Sequence, residues 1–285
     1  MPRIQSSNPV FARTEGFNGK GGTGYAGFDA PGSTGYDTPL THSGGGTGRM
    51  SIDSVVQKTG ITLGTLVIVA AIVWVGTGDV LTTNIDGQTV LDADKASLLY
   101  TLSIVGALGG FVLAMVNSFK KVISPALVLA YAALEGLFVG AMSKSFQLAF
   151  GQGVVTGAVL GTIAAVGGTL AAYKFFDIQV GSKFRKWVIG MMFGFVAVTL
   201  LDLVLGAFGN SLGFNGFGGL GLLMSVVGLA LGVLMLILDF DFVEKGIAAG
   251  LPERESWRAA FGLTVTIIWI YIELLRILAI LRGND

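Results

Sequence analysis

Seven stretches of nearly unbroken apolar side chains run along the chain, at about residues 54–76, 97–118, 122–142, 152–173, 187–208, 219–239 and 257–281, with short polar segments between them. Crossing a bilayer takes roughly 20 apolar residues at 1.5 Å of helical rise each. Each stretch therefore predicts a spanning helix, and the fold class is all-α: a polytopic membrane protein built as a bundle of about seven transmembrane helices. The first stretch is the weakest, because it opens with the polar "DSVVQKTG". The fourth is light in bulk, and "GVVTGAVLG" spaces Gly153, Gly157 and Gly161 four apart. That spacing lets another helix approach closely.

Residues 1–50 follow neither period. "FNGKGGTGYAGFDAPGSTGY" is rich in Gly and poor in aliphatics, so it cannot bury enough apolar surface to fold. The expected organisation is a disordered Gly-rich cytoplasmic tail at 1–50 followed by a seven-helix domain at 51–285. Phe11, Phe17, Tyr25, Phe28 and Tyr36, interleaved along this tail, are either a docking motif or ordinary tail composition. No apolar signal-peptide core precedes the first span, so that span is expected to act as its own insertion signal.

Composition agrees with the pattern: 52% of residues are hydrophobic, 13% are charged, and the mean hydropathy is +0.74. Soluble domains carry about 25% charged residues. The chain has no cysteine, and its one histidine, His42, lies in the tail, which excludes disulfides, thiolate chemistry and a histidine-ligated haem or zinc site in the membrane. A formal net charge of zero gives no sign of a nucleic-acid partner.

Lys and Arg set the expected orientation. Lys120, Lys121, Lys174, Lys183, Arg185, Lys186, Lys245, Arg254 and Arg258 fall on one side, and only Lys95 and Lys144 on the other. That predicts a cytoplasmic N-terminus and an external C-terminus.

Five carboxylates lie in or at the edges of the spans: Glu135, Asp202, Asp239, Asp241 and Glu273. Acids at such depth are costly and rare, and mark ion or proton pathways by default. Counting from the inner ends of their spans, Glu135, Asp202 and Glu273 lie about 20–24 Å up and share one layer. If they converge they cannot all stay ionised, since like charges at close range oppose each other's ionisation. The layer would then hold protons, a cation or an arginine, and Arg276, three residues after Glu273 on the same face, is a candidate partner. The alternative is a Glu–Arg pair plus two acids buried by polar neighbours. Asp239 and Asp241 stand near the inner end of span six, about 200° apart around the helix. Asp239 is the deeper and is expected to face the bundle, whereas Asp241, like Glu244, is expected to face water.

Three elements carry a family resemblance. The third span holds an aromatic–acid–glycine element, "YAALEGLFVG"; the sixth ends in an aspartate, "LILDFDFVEKG"; the last reads "WIYIELLRILAIL". Together they resemble the Bax inhibitor family of membrane proteins, over about residues 50–285, in a form that looks like a bacterial branch with an added Gly-rich tail. The resemblance implies a pH-sensitive calcium leak, gated by two aspartates on spans six and seven that share a proton. Asp239 matches the first. Aligning "LLRIL" without gaps puts Thr266 at the second, whereas aligning "IYIE" gives Glu273, far from the depth of Asp239.

Three functions remain from this reading. The first is a pH-sensitive cation leak channel or proton-coupled exporter in the cell membrane, with Glu135, Asp202, Asp239, Asp241 and Glu273 as its ion or proton pathway and Arg276 as charge partner. Its partners are the lipid bilayer and cations or protons. The carboxylates suit calcium, a cation that prefers oxygen ligands, and no other cofactor is expected. The second is a non-transporting membrane scaffold or stress-regulatory protein. The third is an intramembrane aspartyl protease, since Gly76 to Asp79 spell "GTGD". That motif sits at the outer end of span one and no Tyr-Asp partner stands in any span, so the chain is expected not to be an enzyme.

Overall fold

The computed structural model describes residues 48–84, 86, 88–176, 178 and 180–283. Seven helices follow one another: α1 (Ile52–Gly76), α2 (Ala93–Phe119), α3 (Pro125–Phe150), α4 (Val154–Phe175), α5 (Ser182–Ala207), α6 (Gly219–Ala248) and α7 (Glu255–Gly283). All seven are long and apolar enough to cross a membrane. The first three starts carry recognisable helix-start chemistry, whereas α4, α5 and α6 begin after Gly153, Gly181 and Gly218 with no side-chain cap. Ser51 and Ser54 form a reciprocal capping box on α1, the Asp92 carboxylate accepts the first free amides of α2, and Pro125 opens α3.

α7 is the most enclosed helix and the centre of the bundle. It packs against α1, α3, α4 and α6, while α2 leans mainly on α3 and α5 mainly on α6. Lipid gives helices no hydrophobic drive to associate, so close contact depends on small residues. A Cβ at Gly106 would stand 2.5 Å from the Phe138 amide nitrogen, and one at Gly136 would stand 2.6 Å from the Leu66 carbonyl, so α2–α3 and α3–α1 meet backbone to backbone. Gly157 and Gly161 lie under Leu278 and Leu274, which makes α7 the partner of the four-spaced glycines of α4.

One element was not expected. Between α1 and α2 a short hairpin pairs β1 (Leu81–Thr83) with β2 (Thr89–Leu91), and the Asn84 side-chain oxygen ties its turn by accepting from the Asp86 and Gln88 amides. Helix α3 also runs eight residues beyond the expected end of the third span, to Phe150. That extension brings Lys144 inside the helix. Its buried ammonium donates to the Trp74 and Gly78 carbonyls and to the Thr77 hydroxyl, satisfying the open C-terminal end of α1.

The polar opening of the first span has a similar explanation. Lys58 is buried on α1 and pairs at 2.8 Å with Glu253 of the α6–α7 loop. The same loop holds the segment leading into α1, with the Met50 amide donating to Leu251 and the Glu253 amide to Gly48. Residues 48–50 are thus part of the helical domain. The rest of the expected tail, including its five aromatic residues, lies outside the described residues.

Candidate functional site

The five acids have separate surroundings. Glu135 of α3 stands against α2, where a Cβ on Gly110 would come within 2.6 Å of its carboxylate, and its polar neighbour is Tyr131 one turn before it. Asp202 of α5 is 1% exposed and closes the α5–α6 loop. It accepts from the amides of Leu212, Gly213 and Asn215 at 2.6, 3.2 and 2.7 Å and from the Ser211 hydroxyl at 3.0 Å. Glu273 of α7 presses on α6 at Gly228, beside Ser225 and Phe195, with the Arg276 guanidinium 3.6 Å away.

The expected convergence of Glu135, Asp202 and Glu273 therefore does not occur. Their partners do not overlap, and no cluster of three or more His, Cys, Asp or Glu that could hold a metal ion stands among the described residues. Similar depth was the only shared property. Rotation about each helix axis turns Glu135 toward α2, Asp202 toward its own loop and Glu273 toward α6. Glu273 is beside Arg276, Asp202 is enclosed by loop donors, and half-buried Glu135 has Tyr131 as its polar neighbour. Asp202 and Glu273 are still linked, because Arg276 also donates to the Phe214 carbonyl in the loop that Asp202 holds.

Near the other end of α6 the two aspartates reverse part of the expectation. Asp241 does not face water. It is 3% exposed and pairs with Arg185 at 2.7 Å and with Lys245 at 2.6 Å, joining the start of α5 to the end of α6. Asp239 faces α7, where the Thr266 hydroxyl donates to its carboxylate at 2.6 Å. Asp239 carries no ion pair among the described residues. Glu244 accepts from the Tyr173 hydroxyl.

Four of the five acids fall into two groups, with Glu135 apart against α2. Asp202 and Asp241 are fully occupied by fixed donors and hold elements in place. Asp239 and Glu273 lie along the α6–α7 seam. Thr266 and Glu273 are seven residues apart on α7, two turns along the same face, or about 10 Å. Between them the seam is shut: a Cβ on Gly232 would lie 2.8 Å from Ile270 and 3.0 Å from Trp269, and the Trp269 indole donates to the Gly228 carbonyl at 2.9 Å. Four enclosed side-chain atoms have no hydrogen-bond partner among the described residues: Thr59 Oγ1 on α1, Asn117 Oδ1 on α2, and Ser225 Oγ and Glu273 Oε2 at the α6–α7 seam.

A family model described as Bax inhibitor 1 like matches residues 8–283. The chain belongs to that family. No curated protein matches the chain. Of Thr266 and Glu273, Thr266 touches Asp239, and Glu273 stands two turns away along α7. Asp79, the last residue of "GTGD", is exposed at the turn from α1 into the hairpin.

Sequence reasoning passed over several polar groups. Lys144 counts as a loop charge in the sequence pattern, Lys58 stands within the polar opening of the first span, and Ser225 has no distinguishing mark. A lysine on a long helical run was the available signal for the first two, because burying an ammonium requires several acceptors close by. Ser225 carried no signal, since serine is common wherever membrane helices pack.

Proposed function

We propose that the chain is a proton-responsive cation leak pathway running along the α6–α7 seam, with Asp239 and Thr266 forming its inner polar point and Glu273 and Arg276 its outer one. The observation that carries this reading is Asp239, an acid within a span whose nearest partner is a neutral hydroxyl on the neighbouring helix. Acids placed this way in a membrane are functional by default. Thr266 can donate to the carboxylate but cannot share a proton as a second acid would, so Asp239 titrates alone. Carboxylate, hydroxyl and carbonyl oxygens are the ligands that hard cations such as calcium accept. Gly232, Trp269 and Ile270 close the seam between the two points, so conduction requires α6 and α7 to part there. The lysine-rich end faces the cytoplasm in this reading, and the chain does no covalent chemistry.

The test is calcium and proton flux in liposomes of the purified full chain, between about pH 5 and 8. Asp239→Asn should remove most of the pH dependence, and Glu273→Gln should change the rate. A wild type that passes neither ion at any pH would end the proposal. It would favour the second reading, a non-transporting scaffold, which the tight packing at Gly228 and Gly232 also suits.

A further inference from the structure

At the start of α5, the exposed residues Lys183, Lys186, Trp187, Gly190 and Met191 line an open surface hollow of about 510 Å³. Their spacing places them on one helical face. The neighbouring residues turn the other way, Arg185 into its pair with Asp241 and Val188 into the protein at 1% exposed. Lys183 and Lys186 have no carboxylate partner among the described residues. Trp187 is 72% exposed. A Cβ on Gly190, or on Gly194 one turn further in, would meet nothing, so the floor of the hollow continues as an uncovered strip along the apolar part of α5.

We propose that this hollow binds one anionic phospholipid. The two ammonium groups take its phosphate, the Trp187 indole lies beside the glycerol, and an acyl chain covers Gly190 and Gly194. Charge and depth together identify this occupant. The cationic turn lies where the charged opening of α5 gives way to its apolar run, which is where a headgroup meets its acyl chain, and tryptophan is enriched at that level. A free phosphate would leave the apolar half of the hollow unfilled. A second copy packed symmetrically on the same face would bring lysines against lysines.

Lipid-borne bromine quenches tryptophan at contact, so it reads occupancy directly. The full chain is reconstituted in phosphatidylcholine vesicles doped either with phosphatidylglycerol brominated on its acyl chains or with brominated phosphatidylcholine. The signal of Trp187 is the part lost in Trp187→Phe. Trp187 should be quenched more by the anionic lipid, and Lys183→Gln and Lys186→Gln should each lower that preference about fivefold. Both lysines are exposed, so melting temperature should be unchanged in these variants. Equal quenching by the two lipids in the wild type would overturn the proposal, as would a preference that survives the double variant. Loss of the preference on adding millimolar inorganic phosphate would also overturn it, assigning the site to the free ion.

Discussion

Lys144 donates three hydrogen bonds from a buried ammonium to the end of a neighbouring helix, and that one side chain joins α3 to α1. Lys144→Met keeps the volume and removes the donors, which leaves the Gly78 carbonyl without its lysine partner and the Trp74 carbonyl with the Thr77 hydroxyl alone. It should cost about 2–3 kcal/mol of unfolding free energy in detergent, read from denaturation curves. Asp202 acts similarly on the α5–α6 loop. Asp202→Ala frees three amides and a hydroxyl and removes the support under Phe214, the carbonyl that Arg276 uses. The expected loss is about 3 kcal/mol, with faster proteolysis of the loop at residues 208–218. Thr266→Val has little effect on packing volume but deprives Asp239 of its only hydrogen-bond donor among the described residues. If Asp239 is the titrating group of the pathway, this variant should move the pH midpoint of ion flux while leaving the maximal rate similar. An unchanged midpoint would show that the hydroxyl does not act on the pathway.

Between elements, glycines decide which helices touch. The backbone contact at Gly106 is one of three close glycine contacts, with Gly109 and Gly110, by which α2 leans on α3. Gly106→Ala forces a methyl group against the Phe138 backbone, and overpacking of this kind costs about 1–3 kcal/mol. Gly64→Ala on α1 meets only open space and should be neutral within about 0.5 kcal/mol. Thermal unfolding of the two variants in one detergent makes the comparison. Equal destabilisation by both would show that the loss does not come from the helix contact at Gly106.

Across the whole molecule, the charged loops at one end are joined. Lys58 meets Glu253, Arg258 reaches the carbonyls of Lys120 and Lys121, and Asp241 gathers Arg185 and Lys245. The hairpin and Lys95 belong to the opposite end, where Lys95 donates to the Asp79 carbonyl. Cysteines introduced at the exposed Thr89 and Ser182 should therefore label with an impermeant maleimide from opposite sides of the membrane, with position 182 reached from the cytoplasm. Labelling of both from the same side would contradict the seven-span arrangement.

Helix number, approximate bounds and membrane character were legible in the sequence because they depend on local composition: twenty apolar residues span a bilayer whatever surrounds them. The α4 glycine spacing likewise announced a close contact, though not that α7 would make it. Depth along a helix could also be counted from the sequence. Rotation about the helix axis and the choice of neighbour could not, because both follow from how all seven helices pack together. Hence Glu135, Asp202 and Glu273 lie at similar expected depths yet face different partners, and Asp241 is buried where solvent was expected. Only the tertiary structure decided between Thr266 and Glu273 beside Asp239, because the proximity of residues on two helices depends on the register of one helix against the other, here set by Gly228 and Gly232 against Glu273, Trp269 and Ile270.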